Sequence, residues 1–249
     1  MTHQPPVVIA PDRFDAVIFD LDGVITDTAR VHFAAWKGLF DNYLADRAES
    51  GAEPFSRADY LRHVDGRARI DGVEAYLEWR GIVLPRGDSS DPPDAGTTWA
   101  LANRKNLLFQ DRLAADGVEV FPDAVELIES LHAAGLECAV VTASRNRAEV
   151  LEVAGLADKF EAHVDGLDCA RLGLPGKPDP ASFLEAARRL DVDPARAVVI
   201  EDAHPGVAAA RDGGFGLVVG LDRHGSGDAL LGAGAHAVVA TLASVEVGQ

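Results

Sequence analysis

The chain has 249 residues, 47% hydrophobic and 25% charged, a composition that is typical of a folded globular protein and not of a disordered one. Its net charge of −17 argues against nucleic-acid binding and against an anionic membrane surface. No apolar run approaches the roughly 20 residues of a membrane span, and the N-terminus lacks a signal-peptide pattern. The two cysteines, Cys138 and Cys169, indicate no disulfide framework, so we expect a cytoplasmic protein.

Short apolar segments alternate with helical patterns in the first and last parts of the chain. Such alternation predicts parallel β-α-β units, and therefore an α/β fold with a Rossmann-like parallel sheet covered on both faces. The predicted strands are residues 16–19, 137–141, 197–200, 215–219 and 238–240. The helices predicted among them are residues 124–134, 180–190 and 206–212.

The stretch after the first strand shows no convincing strand pattern and is predicted to be a helical insertion. Its helical patterns cover residues 32–44, 57–64, 72–80 and 99–115, and a loop rich in Pro, Gly and Asp occupies residues 85–96. We therefore expect a core domain of residues 1–27 and 117–249 with an inserted helical cap domain of residues 28–116. An insertion after the carboxyl end of a strand can act as a lid over the ligand site of an open α/β sheet.

Two aspartates separated by one residue follow the first predicted strand. Because residues i and i+2 of an extended strand share a face, Asp20 and Asp22 are expected to converge, unless the turn at Gly23 redirects them. Adjacent carboxylates repel each other unless a metal ion or a shared proton separates them. The alternative is a pair of solvated loop aspartates, which are common in an acidic protein.

Three later motifs carry a hydroxyl, a lysine and a second acid pair. Thr142 ends a strand, and a helix is predicted near Ser144. Hydroxyls at such a strand-to-helix turn can bind phosphate, although each hydroxyl alone also fits the role of a helix cap. Lys177 stands between Gly and Pro, where it can present a fixed positive charge or remain a solvated lysine. Glu201 and Asp202 end another strand, and their hard oxygen atoms suit Mg²⁺.

The order of these motifs along the chain resembles the four signatures of the haloacid dehalogenase-like phosphotransferase superfamily. Parallel topology would bring the four together at one edge of the sheet. The resemblance implies a nucleophilic Asp20, a general acid/base Asp22, and Thr142 and Lys177 as phosphate-holding groups.

The same resemblance implies bound Mg²⁺. Its ligands would be the Asp20 carboxylate, the Asp22 backbone carbonyl and Asp202, with Glu201 as a further ligand or as a neighbour of one.

Further segments resemble the β-phosphoglucomutase-like subfamily. The first motif reads like that of the subfamily over residues 19–28, and residues 65–69 and 103–106 match its two basic cap segments. The substrate-binding residues that the resemblance implies are Thr28, His32, Trp36, Arg69, Ser144, Arg145 and Asn146. Thr28 and His32 form an i, i+4 pair at the expected hinge; the alternative is that His32 is a surface or helix-capping residue. Three features depart from the subfamily: Asp65 stands where a lysine is usual, Thr142 replaces Ser, and the 85–96 loop lengthens the cap.

The expected function is Mg²⁺-dependent phosphoryl transfer on a hexose phosphate through an aspartyl-phosphate. If the protein is a mutase, β-glucose 1-phosphate becomes glucose 6-phosphate through β-glucose 1,6-bisphosphate, which also primes the enzyme. The alternative is a sugar-phosphate phosphatase, in which water attacks the same aspartyl-phosphate. A third class, a binding module or inactive relative, is disfavoured because Asp20, Asp22, Lys177 and Asp202 are all present. We expect a monomer whose partner is a small phosphorylated sugar.

Overall fold

The computed structural model describes residues 6–47, 53–223, 225 and 227–248. The chain divides into two compact units, Met1–Asp27 with Glu119–Gln249, and Thr28–Val118, which we call the core unit and the insertion unit. The second boundary lies two residues beyond the position expected from the sequence. Among the described residues, none of the helices combines the length and the apolar character that crossing a membrane requires.

The strands and helices are numbered in chain order. The strands are β1 (Val7–Ile9), β2 (Ala16–Asp20), β3 (Glu137–Val141), β4 (Ala162–Val164), β5 (Ala197–Glu201), β6 (Leu217–Leu221), β7 (Ala237–Val239) and β8 (Val245–Val247). The α-helices are α1 (Thr28–Asp46), α2 (Arg57–Asp59), α3 (Arg69–Trp79), α4 (Thr98–Asp116), α5 (Pro122–Ala133), α6 (Arg147–Val153), α7 (Gly166–Leu172), α8 (Ala181–Leu190), α9 (His204–Asp212) and α10 (Gly227–Ala233). A π-helix follows α2 at Tyr60–Val64, and 3₁₀ turns lie at Pro194–Arg196 and Leu242–Ser244.

The core unit is built on a parallel sheet with the strand order β4-β3-β2-β5-β6-β7. This arrangement confirms the predicted fold class. Strand β2 lies at the middle, between β3 and β5, and Phe19 is in register with Val140 and Ile200. The residues that follow these three strands therefore emerge side by side at the carboxyl edge of the sheet.

Both faces of the sheet are covered, as the near-continuous apolar strands require. Alternate residues such as Ile18 and Val199 pack with α8, α9 and α10 in one buried cluster that includes Phe183. The residues between them, such as Val17 and Val198, face the other side and are also fully buried. Helix α5 contacts β3, and its Leu127, Ile128 and Leu131 are buried. The strands are thus held rigidly from both sides.

Several short elements of the core unit were missed by the sequence patterns. Strand β4 has three residues with an exposed centre, and β1 pairs with β8 in a separate two-stranded parallel sheet. Helices α6, α7 and α10 have seven residues each, too few for a clear period. Strand β6 begins two residues later than predicted because Gly216 donates to Pro194 and Ala197 carbonyls in a turn before it.

The described residues of the insertion unit form helices and loops and no strand, and its interior is rich in aromatic side chains. Trp36, Phe40, Phe55 and Tyr76 are buried in one cluster, with the Phe40 and Tyr76 rings 4.0 Å apart. Helix α1 begins four residues earlier than predicted, at Thr28. The segment predicted as one helix, 57–64, instead contains a short α-turn and the π-helix, which leads into the loop before α3.

Asp123, in the first turn of α5, joins distant parts of the core unit. Its carboxylate accepts two hydrogen bonds from Arg223, at 2.8 and 3.1 Å, one from the Thr241 hydroxyl at 2.6 Å and one from the Leu242 amide at 2.9 Å. Partial burial would raise the pKa of Asp123, but these donors outweigh it and hold the pKa below its ordinary value. The ionised carboxylate therefore contributes to folding stability.

We expect Asp123→Asn to lower the free energy of unfolding at pH 7 by about 1–2 kcal/mol. The amide cannot form the ion pair, and its NH₂ group would face hydrogen-bond donors where a carboxylate oxygen accepted from them. A depressed folded-state pKa gives stability that is present above the unfolded pKa, about 4, and is lost as pH falls through the folded value. Urea unfolding between pH 7 and pH 3 should show that the difference in unfolding free energy between the wild type and Asp123→Asn narrows only below about pH 4. A gap independent of pH would contradict this role for the charge.

Candidate active site

A buried lysine joins two carboxylates at the carboxyl edge of the core sheet. Lys177 Nζ donates to Asp20 Oδ1 at 2.5 Å and to Glu201 Oε1 at 2.6 Å. Asp20 is the last residue of β2, and Glu201 is the last residue of the neighbouring β5. All three side chains are buried, Glu201 completely. Lys177 is thus a buried, fixed positive charge and not a solvated loop lysine, and it contacts both Asp20 and Glu201.

The charges in this group are strongly interdependent. Burial alone would lower the pKa of Lys177, but the Asp20 and Glu201 carboxylates outweigh it and raise the pKa, so the lysine stays charged. Burial is the main cause that raises the pKa of Asp20 well above its ordinary value; Glu201 and Asp22 add to it, and Lys177 opposes it. A single lysine therefore faces an excess of acidic groups.

Asp22 lies beside Asp20, and its side chain contacts Thr142. The Asp22 amide donates to Asp20 Oδ2 at 2.8 Å, while its own carboxylate accepts from the Thr142 hydroxyl at 2.7 Å. Strand β2 ends at Asp20 and the chain turns immediately afterwards, so the two aspartates do not share one extended strand, as the sequence analysis allowed for the turn at Gly23. Asp22 is instead held against the residue that follows β3.

The loop after β3 presents Thr142, Ser144 and Asn146, and the helix predicted near Ser144 begins three residues later. The Thr142 hydroxyl accepts from the Ser144 amide at 3.0 Å, and the Ser144 hydroxyl accepts from the Asn146 amide at 3.2 Å. Helix α6 starts only at Arg147. Each hydroxyl is thus used to shape the loop, and Arg145, half-buried, lies within it.

An ion pair supports this loop from behind. Arg147 Nε donates to the buried Asp165 carboxylate at 3.0 Å, and Asp165 also caps α7. The Gly166 amide donates to the Ser144 carbonyl at 2.9 Å. Because this pair belongs to the supporting layer and not to a motif, the sequence patterns did not single it out.

Glu201 is fully engaged by protein groups. Its second oxygen accepts from the Ala203 amide at 2.6 Å, and Lys177 occupies the first. The carboxylate packs against Gly206 of α9, where an added Cβ would lie 1.8 Å from Oε1. Glu201 therefore fits the role of holding Lys177 better than the role of a metal ligand, which was one of the two roles that the sequence resemblance implied for it.

We expect Gly206→Ala to push Glu201 away from Lys177. The overlap should cost about 1–3 kcal/mol of unfolding free energy, as overpacking does, and should lower turnover by about tenfold or more. The matched control is Gly232→Ala in α10, where nothing lies within 4 Å of the new Cβ and helix propensity favours Ala. Thermal unfolding and turnover of both variants test this; equal behaviour of the two would contradict it.

The oxygen atoms beside Asp20 form a donor set that suits Mg²⁺. Asp202 follows β5 and lies over the turn after β2, where a Cβ added to Gly23 would be 2.0 Å from Asp202 Oδ2; Gly23 itself has a φ of +98°. Two carboxylates and the main-chain carbonyls of this turn provide hard oxygen atoms, which Mg²⁺ prefers. The excess of acid over Lys177 also favours a cation at this edge. In the described parts of the chain no three His, Cys, Asp or Glu side chains group as metal ligands, so main-chain oxygens would have to complete the pair of carboxylates.

In the insertion unit, His32 lies beside a buried lysine of the basic segment 103–106, to which the sequence analysis gave no role of its own. Lys105 Nζ is 2.5 Å from His32 Nδ1, and the His32 ring stacks on Phe109 with centroids 4.2 Å apart. Lys105 also lies 5.1 Å above the Trp36 ring, a cation–π contact. Its position in the basic segment 103–106 was a usable signal, since a lysine on the apolar face of a helix needs a partner.

The remaining predicted residues of the insertion unit are placed differently from one another. Trp36 is 3% exposed and stacks on Phe40, so its position favours a packing role over direct substrate contact. Thr28 is completely buried at the first residue of α1. Arg69 is half-buried at the start of α3, and its guanidinium donates to Asn103 Oδ1 at 3.3 Å.

A parallel α/β core that gathers an aspartate, a lysine and further acids at its carboxyl edge, with a helical insertion after the first strand of that sheet, defines a class of phosphoryl-transfer proteins. A family model described as haloacid dehalogenase-like hydrolase matches residues 14–214. The chain belongs to the haloacid dehalogenase-like hydrolase family, as the sequence resemblance predicted.

Proteins of this family resemble the chain over most of its length. The chain is 46% identical over 219 residues to the β-phosphoglucomutase of Mycobacterium bovis, covering 86% of this chain and 84% of that protein. It is 30% identical over 228 residues to the phosphorylated carbohydrates phosphatase of Thermotoga maritima, covering 90% and 94% respectively. The crystal structure of β-phosphoglucomutase from Clostridium difficile matches with a TM-score of 0.74 and 26% identity over 92% of both chains.

Proposed function

We propose that this protein is a β-phosphoglucomutase, which converts β-glucose 1-phosphate to glucose 6-phosphate through β-glucose 1,6-bisphosphate. The observation that carries the proposal is the pairing of Asp20 with the buried Lys177, next to Asp22 held by Thr142. The 46% identity to a β-phosphoglucomutase over most of both chains supports it.

In this proposal Asp20 is the nucleophile. Phospho-Asp20 first gives its phosphoryl group to a hydroxyl of β-glucose 1-phosphate: the hydroxyl oxygen attacks the phosphorus, the bond between the phosphorus and the Asp20 carboxylate breaks, and Asp22 takes the hydroxyl proton. The resulting bisphosphate turns over, and Asp20 attacks the phosphorus of its other phosphate while the bond from that phosphorus to the sugar oxygen breaks and Asp22 returns the proton to the leaving oxygen. Phosphoryl transfer depends mainly on positioning and charge stabilisation.

In this step Lys177 supplies positive charge, and Thr142 positions the Asp22 side chain. Lys177 remains an ammonium because two carboxylates stabilise it, so it can shift toward phosphoryl oxygens without a change of protonation. Thr142 orients the Asp22 carboxylate by its 2.7 Å hydrogen bond. Ser144, Arg145 and Asn146 form the adjoining loop, whose amides and polar side chains suit an oxyanion.

Asp20, Asp202 and the Asp22 backbone carbonyl are the groups that would hold Mg²⁺, with Glu201 holding Lys177. When bound, Mg²⁺ supplies positive charge that stabilises the transferring phosphoryl group. Removal of divalent cations by a chelator should therefore abolish phosphoryl transfer, while the Lys177 hydrogen bonds remain formed by the protein alone.

A phosphatase is the second candidate, because the 30% identical Thermotoga relative is a phosphorylated carbohydrates phosphatase. Both reactions share phospho-Asp20 and differ in whether a sugar hydroxyl or water attacks it. A mutase must also hold the phosphate of the bisphosphate that is not transferred. We propose that Arg69 does so, since a guanidinium can bind phosphate through two parallel hydrogen bonds.

We expect Arg69→Ala to lower kcat/KM for β-glucose 1-phosphate by at least about tenfold, the value of a charge-assisted hydrogen-bonded pair. Hydrolysis of acetyl phosphate, which has no second phosphate, should fall far less. The assay follows glucose 6-phosphate with the bisphosphate as primer. The matched control is Arg62→Ala, which removes the same charge from an exposed position of the same unit.

The outcomes separate the two candidate functions. If the wild type releases inorganic phosphate and forms no glucose 6-phosphate, the protein is a phosphatase and the mutase proposal is wrong. If Arg69→Ala reduces acetyl phosphate hydrolysis and mutase activity equally, Arg69 maintains the structure of the insertion unit and does not bind the second phosphate.

A further inference from the structure

The loop before α4 is built around its own hydrogen bonds. We call residues 85–97 the insertion loop. Asp91 Oδ2 accepts from the Thr97 hydroxyl at 2.6 Å and from the Asp88 amide at 3.1 Å, and the Thr98 amide donates to the Pro85 carbonyl at 3.0 Å. These contacts close the loop on itself, so its own hydrogen bonds define its shape.

Asn103, in α4, connects this loop to Arg69. Its Nδ2 donates to the Ser89 carbonyl at 3.1 Å and to the Asp91 carbonyl at 2.9 Å, while its Oδ1 accepts from the Arg69 guanidinium at 3.3 Å. Both amide protons and the amide oxygen are therefore used. The opposite orientation of the amide would place NH₂ against the guanidinium and oxygen against two carbonyls, so the contacts permit only one orientation.

A second contact between the loop and α3 is weaker. Arg86 lies 3.1 Å from Glu74, but the two side chains are 62% and 37% exposed, and exposed ion pairs contribute little. Asn103 is half-buried and contacts the loop through main-chain carbonyls, whose positions do not depend on a flexible side chain. Asn103 is thus the firmer connection between the insertion loop and the helix that carries Arg69.

We propose that Asn103 is a positioning residue through which the insertion loop orients the Arg69 guanidinium for the non-transferred phosphate of a hexose bisphosphate. The inference rests on the proposed function of Arg69. An arginine has many rotamers, and binding that must first select one of them is weakened. A planar amide fixed by two carbonyls restricts Arg69 before the ligand arrives. The insertion loop, which lengthens this unit, therefore affects affinity through Asn103.

The test is a double-mutant cycle between Asn103 and Arg69. We expect Asn103→Ala to raise KM for β-glucose 1,6-bisphosphate about fivefold to tenfold with a smaller change in kcat. In the Arg69→Ala background the same substitution should change KM less than about twofold, because the residue that it positions is gone. Arg112→Ala, exposed on the same helix, is the control for general effects on α4.

Asn103→Asp distinguishes the contribution of the insertion loop from the loss of the hydrogen-bond acceptor for Arg69. The carboxylate still accepts from Arg69 but presents oxygen to the Ser89 and Asp91 carbonyls, so it should release the loop and raise KM nearly as much as Asn103→Ala. A wild-type KM for Asn103→Asp would overturn the role of the loop. An equal loss in both Arg69 backgrounds would overturn the positioning role.

Failure of this inference is distinct from failure of the proposed function. If wild type produces phosphate and no glucose 6-phosphate, the mutase proposal fails, and the same cycle is read on phosphate release from β-glucose 1,6-bisphosphate, which still carries a phosphate that is not transferred. Coupling between Asn103 and Arg69 in that reaction supports the positioning role, and additivity overturns it.

Discussion

Asp20→Asn is expected to abolish turnover, because an amide cannot form the acyl phosphate on which both candidate reactions depend. Covalent and electrostatic effects each supply several kcal/mol to such a step, so activity should fall at least about a hundredfold. The measurement is formation of glucose 6-phosphate and of inorganic phosphate by the same samples, followed by ³¹P NMR.

The control for this substitution is Asp12→Asn, which makes the same chemical change at an exposed position of the core unit. It should retain full activity. Residual turnover of Asp20→Asn above about one hundredth of wild type would contradict the nucleophilic role. The thermal unfolding of Asp20→Asn must also be compared with that of the wild type, since the substitution removes a partner of Lys177.

Lys177→Met should affect both stability and activity strongly. It leaves Asp20 and Glu201 buried without their shared cation, a change that typically costs about 3–5 kcal/mol. Turnover should fall at least about a hundredfold, because no other described contact places a positive side chain on Asp20. Urea unfolding at pH 7 and the mutase assay measure the two effects separately.

The double variant Lys177→Met with Glu201→Gln distinguishes these effects. Removing one of the two unpaired charges should recover much of the lost stability, whereas activity should remain absent. Lys159→Met is the matched control, since Lys159 is 39% exposed and its ion pair with Glu129 is on the surface. Recovery of activity in the double variant would show that Lys177 acts only on folding.

The sheet could be predicted from the sequence because its signals are local. Strand β3 has the predicted bounds, and β2 and β5 each extend one residue beyond theirs, since segments of four apolar residues bounded by polar residues have few alternatives. The motif order along such strands then predicted which edge would carry the site. Strands β1 and β8 could not be found in this way, because each is stabilised by a partner at the other end of the chain.

The sequence by itself therefore determined the fold class, the helical nature of the insertion, and the grouping of Asp20, Asp22, Thr142 and Lys177. These depend on periodicity and on strand ends, which neighbouring residues specify. The tertiary structure alone decided that Asp22 turns to Thr142, that both Glu201 oxygens are occupied, and that Asn103 joins a loop to Arg69. Each of these is a hydrogen bond between groups that are far apart in sequence or turned by a loop, and its geometry depends on packing that no local pattern encodes.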